Sequence, residues 1–159
     1  MLSFSDCPTD IPNYSLVQGK CYFFETTKLD HQSAKANCNA KFRSEGKLFE
    51  PRSLEINSEV FFKAESEFGS LLIKSPTGTG WLLNSARIWI GVSDIDDDNI
   101  FKYTESKQVL NMTPSWAPGN PSNFWKGGDE NCVEFAFVSD AKWNDRDCSA
   151  EQFSICESK

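Results

Sequence analysis

Six cysteines constrain this chain more than any other feature. They stand at Cys7, Cys21, Cys38, Cys132, Cys148 and Cys156, and no two form a CxxC pair, which excludes zinc-ribbon and thioredoxin-like readings. An even number in a 159-residue chain of net charge -7 reads as three disulfides made in an oxidising compartment, with every pairing still open. The length suits a single domain over residues 1–159 with a core of its own. With 39% hydrophobic and 13% aromatic residues the chain reads as globular rather than disordered. The acidic balance argues against nucleic acid, which wants a basic stripe. No apolar run reaches the length of a membrane span. The opening residues MLSFSDCPTD lack the basic and apolar blocks of a secretory leader, so the secreted location expected of a disulfide framework rests on a leader already removed. Asn13-Tyr14-Ser15 and Asn111-Met112-Thr113 have the form of glycosylation sequons, so the expected product is a glycoprotein.

Along the chain, CYFFE (21–25) reads as a strand. Residues 30–42 read as a helix capped by Asp30, with Ala34, Cys38 and Phe42 on its buried face. A second helix spans 53–69, capped by Ser53, carrying Ile56, Val60 and Ala64 on one face and stopped by Gly69. KSPTGTG is a loop, RIWIGV (87–92) a strand, SDIDDDN an acidic turn and IFKYTE a short strand. From Lys107 to Asn131 there is no periodicity, and a connection that long in a compact domain is usually functional. CVEFAFV (132–138) alternates as a strand, WNDRDC reads as a turn and FSIC as a last strand. Two helices followed by a loop-rich β region make an α+β domain.

Catalysis finds little support. The one histidine, His31, sits near the start of the first helix with no nucleophile motif beside it, which suits a structural role. Glu130 and Asp145 are a carboxylate pair, but their setting suits metal ligation better than glycoside hydrolysis. Asp94, Asp96, Asp98 and Glu105 fall at EF-hand positions, yet Asn99 replaces the turn glycine and the flanks are not helical.

Taken together, CYFF, the helical Cys38, WIGV at 89–92, Asn120-Pro121-Ser122, ENCVEF, WND at 143–145 and the final ICE resemble a C-type lectin-like domain, from Cys7 to Cys156. The resemblance implies a C-type lectin-like fold of two helices, antiparallel sheets and a long ligand-binding loop. It implies the bridges Cys7–Cys21, Cys38–Cys156 and Cys132–Cys148, the first being the extra pair of the family's long form. It further implies that the loop holds a calcium ion that also binds two sugar hydroxyls, and that Pro121 is cis. The family's usual triplets are Glu-Pro-Asn for mannose-like and Gln-Pro-Asp for galactose-like sugars, whereas this chain has Asn120, Pro121 and Ser122. Glu130, Asn144 and Asp145 match the remaining ligands of the principal site. Calcium takes about 6–8 oxygens and affinity follows ligand charge, so a site with two carboxylates and a serine hydroxyl is expected to be weak. Asp94, Asp98, Asn123 and Asn131 match the auxiliary calcium positions.

Phe124 and Trp125, followed by two glycines, look similar to the insert of galactose-binding members, whose aromatic ring packs on the sugar's C–H face. The resulting expectation is a secreted, calcium-dependent lectin acting in innate recognition or agglutination. Its sugar would be galactose or N-acetylgalactosamine, held by Asn120, Ser122, Phe124, Trp125, Glu130, Asn144 and Asp145. Agglutination requires two or more sites per particle, which a homo-oligomer would supply. The alternatives are calcium-independent binding of an acetamido sugar by the same loop, or a lectin-like domain whose partner is a protein, ice or a mineral.

Overall fold

A computed structural model describes residues 7–68, 87–96, 99–125, 128–136 and 141–159, with the backbone alone at Phe124, Trp125, Gly128 and Ala136. The elements run β1 (Tyr14–Val17), β2 (Lys20–Leu29), α1 (His31–Lys41), β3 (Gly46–Leu48), α2 (Leu54–Phe68), β4 (Ile88–Ser93), β5 (Lys102–Tyr103), β6 (Phe124–Trp125), β7 (Gly128–Asp129), β8 (Cys132–Ala136), β9 (Lys142–Arg146) and β10 (Gln152–Ser158). Eight strands join in one sheet along the order β1-β2-β10-β4-β8-β9, with β3 on β10 and β5 on β4. Its pairs are antiparallel except β10 with β4, which run parallel at Phe153↔Ile88 and Ser154↔Trp89. β6 and β7 form a separate two-stranded ribbon.

The two helices cover opposite faces of this sheet, and the strand alternation explains how. On β2, Tyr22 and Phe24 join a core with Val60, Phe61, Ala64 and Phe68 of α2. Phe23, pointing the other way, joins Ala34 and Cys38 of α1. β4 divides likewise: Ile88, Ile90 and Val92 face the first core and Trp89 the second. A strand covered on both sides is apolar throughout, which is why CYFF and IWIGV read as continuous runs. Each large side chain so buried contributes about 1.5–3 kcal/mol. Gly91 is required by crowding: a Cβ there would lie 2.6 Å from the Leu48 carbonyl oxygen.

Asp30 caps α1 by accepting from the Ser33 amide at 2.8 Å, and Ser53 Oγ accepts from the Ile56 amide at the start of α2. His31 is buried. Its Nε2 donates to the Ile90 carbonyl at 3.0 Å, and burial pulls its pKa down to about 4. Disulfides join Cys7 to Cys21, Cys38 to Cys156 and Cys132 to Cys148. The second ties α1 to β10 across 118 residues.

Several elements differ from the sequence reading. WNDR is strand β9, not a turn, because it pairs in register with β8 from Cys132↔Arg146 to Ala136↔Lys142. β1 and β3 lie in stretches to which the sequence reading assigned no element. The β6–β7 ribbon interrupts the 107–131 segment. The acidic turn after β4 links two strands rather than two helices, and Asn99 there has φ 63°. Gly69, KSPTGTG, Phe137 and Val138 lie outside the described residues.

Candidate functional site

The long segment returns to the sheet at 115–117. There the Trp143 amide donates to the Ser115 carbonyl at 2.7 Å and the Ala117 amide to the Trp143 carbonyl at 2.9 Å. Trp116 meets the Trp143 ring edge-on. The chain then turns through Gly119, at φ 86°, into a cis Asn120–Pro121 bond. The Asn120 amide donates to the Ala117 carbonyl at 3.0 Å. This brings Ser122 and Asn123 against β9.

Asp145, wholly buried on β9, organises the loop around itself. Its carboxylate accepts from the Ser122 amide at 2.9 Å and the Asn123 amide at 2.5 Å. The Ser122 hydroxyl lies 3.5 Å from Asp145 Oδ1 and donates in a short bond to Glu130 Oε2. Glu130 is itself buried, and its amide donates to the Asn123 carbonyl at 3.2 Å, closing the β6–β7 ribbon. Burial raises the Glu130 pKa above the usual carboxylate value; the Ser122 hydroxyl opposes that rise and the Asp145 charge adds to it. Asn123 stands at φ 62°, and its Oδ1 is buried without a hydrogen-bond partner.

Of the residues predicted for the principal site, the structure therefore gathers Ser122, Glu130 and Asp145, with Asn120 entering through the cis bond. Asn144, next to Asp145 on β9, makes no hydrogen bond to these three; its Nδ2 donates to Glu134 Oε1 at 2.9 Å. Of the predicted auxiliary set, Asn123 joins this principal cluster. Asp94 joins Asn131 instead, its amide donating to the Asn131 carbonyl at 2.7 Å, while Asp94 Oδ2 accepts from the Asn99 amide at 3.0 Å. Asp98 and the side chains of Phe124 and Trp125 lie outside the described residues.

Among the described residues no group of three or more His, Cys, Asp or Glu side chains is arranged to hold a metal. The donor set still suits a hard cation. Two buried carboxylates face one hydroxyl, every ligand atom is oxygen, and the Asn123 side-chain carbonyl oxygen is buried with nothing to accept from. Oxygen donors of this kind are those calcium selects.

Sequence reasoning gave no role to Arg87 and Glu134. Arg87 Nη1 donates to Glu134 Oε1 at 2.9 Å, and both residues are buried. An acid amid the apolar alternation of CVEFA was the one signal for it. Its partner, 47 residues away, could not be read from it.

Residues 27–158 match the family model described as the lectin C-type domain. CD209 antigen-like protein 2 of Macaca mulatta is 24% identical over 153 residues, covering 95% of this chain and 48% of that protein, so the chain spans about half of that curated relative. Among solved structures, the C-type lectin CEL-I from Cucumaria echinata superposes with a TM-score of 0.72 at 22% identity, covering 96% of this chain and 97% of that one. The calcium-free form of a Ca2+-dependent type II antifreeze protein superposes with a TM-score of 0.68 at 19% identity, covering 96% and 100%. At these identities the structural likeness establishes the fold.

Proposed function

The chain belongs to the lectin C-type domain family, and from that premise we propose that it is a secreted lectin binding galactose-type sugars through a calcium ion in the 118–132 loop. One observation carries the reading: Glu130, which follows β7, and Asp145, on β9, converge on Ser122 beside a cis Asn120–Pro121 bond. In this reading Asn120, Ser122, Glu130, Asn144 and Asp145 hold the ion through oxygen. The ion supplies a Lewis-acidic point on which vicinal sugar hydroxyls displace water. Asp94, Asn131 and Asn123, together with Asp98, would serve an auxiliary ion. Phe124 and Trp125 would pack on the sugar's C–H face. Three disulfides suit an extracellular setting, and no described helix is long and apolar enough to cross a membrane.

A second reading has its own observation. The Ser122 hydroxyl and the amides of Ser122 and Asn123 already satisfy much of the Glu130 and Asp145 carboxylates. A loop so closed suits calcium-independent binding of an acetamido sugar, or a non-sugar partner such as ice, which the antifreeze neighbour's name suggests for the fold. A glycan array run with calcium and again with chelator separates these. Galactose-type signals lost in chelator support the first reading, signals kept in chelator support the second, and silence in both arms removes the sugar.

A further inference from the structure

We infer that Glu134, held by Arg87, is a positioning residue that fixes which way round the Asn144 amide stands. The inference rests on the proposed reading of Asn144 as an oxygen donor to the calcium–sugar site. β8 and β9 pair Glu134 with Asn144 in register. Glu134 Oε1 accepts from both Asn144 Nδ2 and Arg87 Nη1 at 2.9 Å. That oxygen accepts from the Arg87 guanidinium, which only donates, so the amide atom facing it is the NH2 group and Asn144 Oδ1 is turned away. A cation needs that oxygen. An unanchored asparagine reverses its amide easily, since the two ends are nearly the same shape, and a reversed amide offers donors where an acceptor is wanted. With Glu134 present, reversal sets oxygen against oxygen in a buried place.

The arrangement is poorly explained by stability alone. Glu134 Oε2 is buried with no partner, and a buried ion pair is often replaceable by apolar residues without loss. What an apolar pair cannot do is accept from Asn144 Nδ2. Arg87, nearly as buried as Glu134, donates to the same oxygen and so fixes it as an acceptor. Metal ligands are commonly oriented in this way by the groups that hydrogen-bond them.

Two proteins test this: the apolar pair Arg87→Leu with Glu134→Leu, and the same pair with Asn144→Asp added. Leucine removes the acceptor, whereas glutamine at 134 would keep a carbonyl oxygen facing the amide. Calorimetry with calcium alone should show the apolar pair binding about tenfold more weakly than wild type. A carboxylate has two equivalent oxygens and no wrong way round, so adding Asn144→Asp should recover affinity to within about threefold of wild type. Independently of calcium, NMR in chelator should show the Asn144 side-chain NH2 protected from hydrogen exchange in wild type and unprotected in the apolar pair. Calcium affinity unchanged in the apolar pair, or no recovery on adding Asn144→Asp, overturns the inference. If wild type binds no calcium, the calcium reading fails by itself and the chelator spectra decide the positioning: protection kept in the apolar pair overturns it, protection lost supports it. Should the apolar pair not fold, Glu134→Asp withdraws the acceptor by one methylene and is read identically.

Discussion

Trp89 and Asp145 are both wholly buried, and they are buried by opposite means. Trp89 lies in the sheet centre with α1 packed over it, and its one polar atom donates to the Leu29 and Ala150 carbonyls. Asp145 lies at the sheet edge with a loop closed over it, and that loop is held down by hydrogen bonds to Asp145's own carboxylate. The scaffold is thus secured by apolar area and covalent bridges. The tip of the loop, at Ser122 and Asn123, is secured by hydrogen bonds to one carboxylate, which in the proposed reading it exchanges for an ion.

The strongest way to break the scaffold alone is to open its longest bridge. Replacing Cys38 and Cys156 together by Ala removes a 118-residue closure. It should cost about 4–5 kcal/mol in the chain-entropy model, measured by denaturant unfolding. A loss below ~1 kcal/mol would mean that apolar packing carries the scaffold without it.

Acid should separate the two regions by sign. His31 ordinarily titrates at 6.5 and is held at about 4 by burial. Its folded pKa is depressed, so protons favour the unfolded chain and stability falls as pH drops from 6.5 toward 4. The shift amounts to about 3 kcal/mol at ~1.4 kcal/mol per pH unit. Glu130 has the opposite sign. Its folded pKa is raised, so its contribution is fully present below the ordinary Glu value of 4.5 and is lost as pH climbs through the raised one. Urea unfolding in chelator from pH 7 to 4, with His31→Gln and Glu130→Gln, should show the acid loss reduced in the first and deepened in the second. Equal pH profiles in wild type and both variants would refute the assignment.

The loop alone should break with Glu130→Gln or Asp145→Asn. Each removes one of two carboxylates, and calcium affinity should fall about tenfold or more by calorimetry. Unchanged affinity in both would move the ion elsewhere. The finest distinction concerns the rings of the β6 strand. Phe124→Ala or Trp125→Ala should weaken galactose binding about fivefold, from a contact of roughly 1 kcal/mol. The melting temperature should hold. A large drop in melting temperature with intact sugar affinity would make that ring part of the scaffold.

The same division governs what could be read in advance. α1 and α2 announce themselves through Asp30, Ser53 and apolar spacing, because local signals make helices. β9 does not. Asn144, Asp145 and Arg146 are poor strand formers alone, and they become a strand only because β8 offers a partner. Glu130, Asp145 and the cis bond were reached through resemblance, since nothing local shows that residues 122 and 145 meet. The Arg87–Glu134 pair was beyond reach for a similar reason. It is made by the pairing of β4 with β8, which joins chain segments far apart in sequence.

The place of β10 in the sheet has a consequence for how the chain is made. β10 comes last in order among the described strands, yet it lies between β2 and β4, strands that precede it by more than fifty residues. As the chain emerges, β2 has β1 beside it but lacks β10 on its other edge, and the first helix lacks its bridge. Cys38 then waits as an unpaired thiol until Cys156 arrives, with Cys7, Cys21, Cys132 and Cys148 all made earlier as wrong partners. Folding of this kind is slow and exposed to error. Yield in a cell should therefore follow the supply of disulfide isomerase more than the speed of the ribosome.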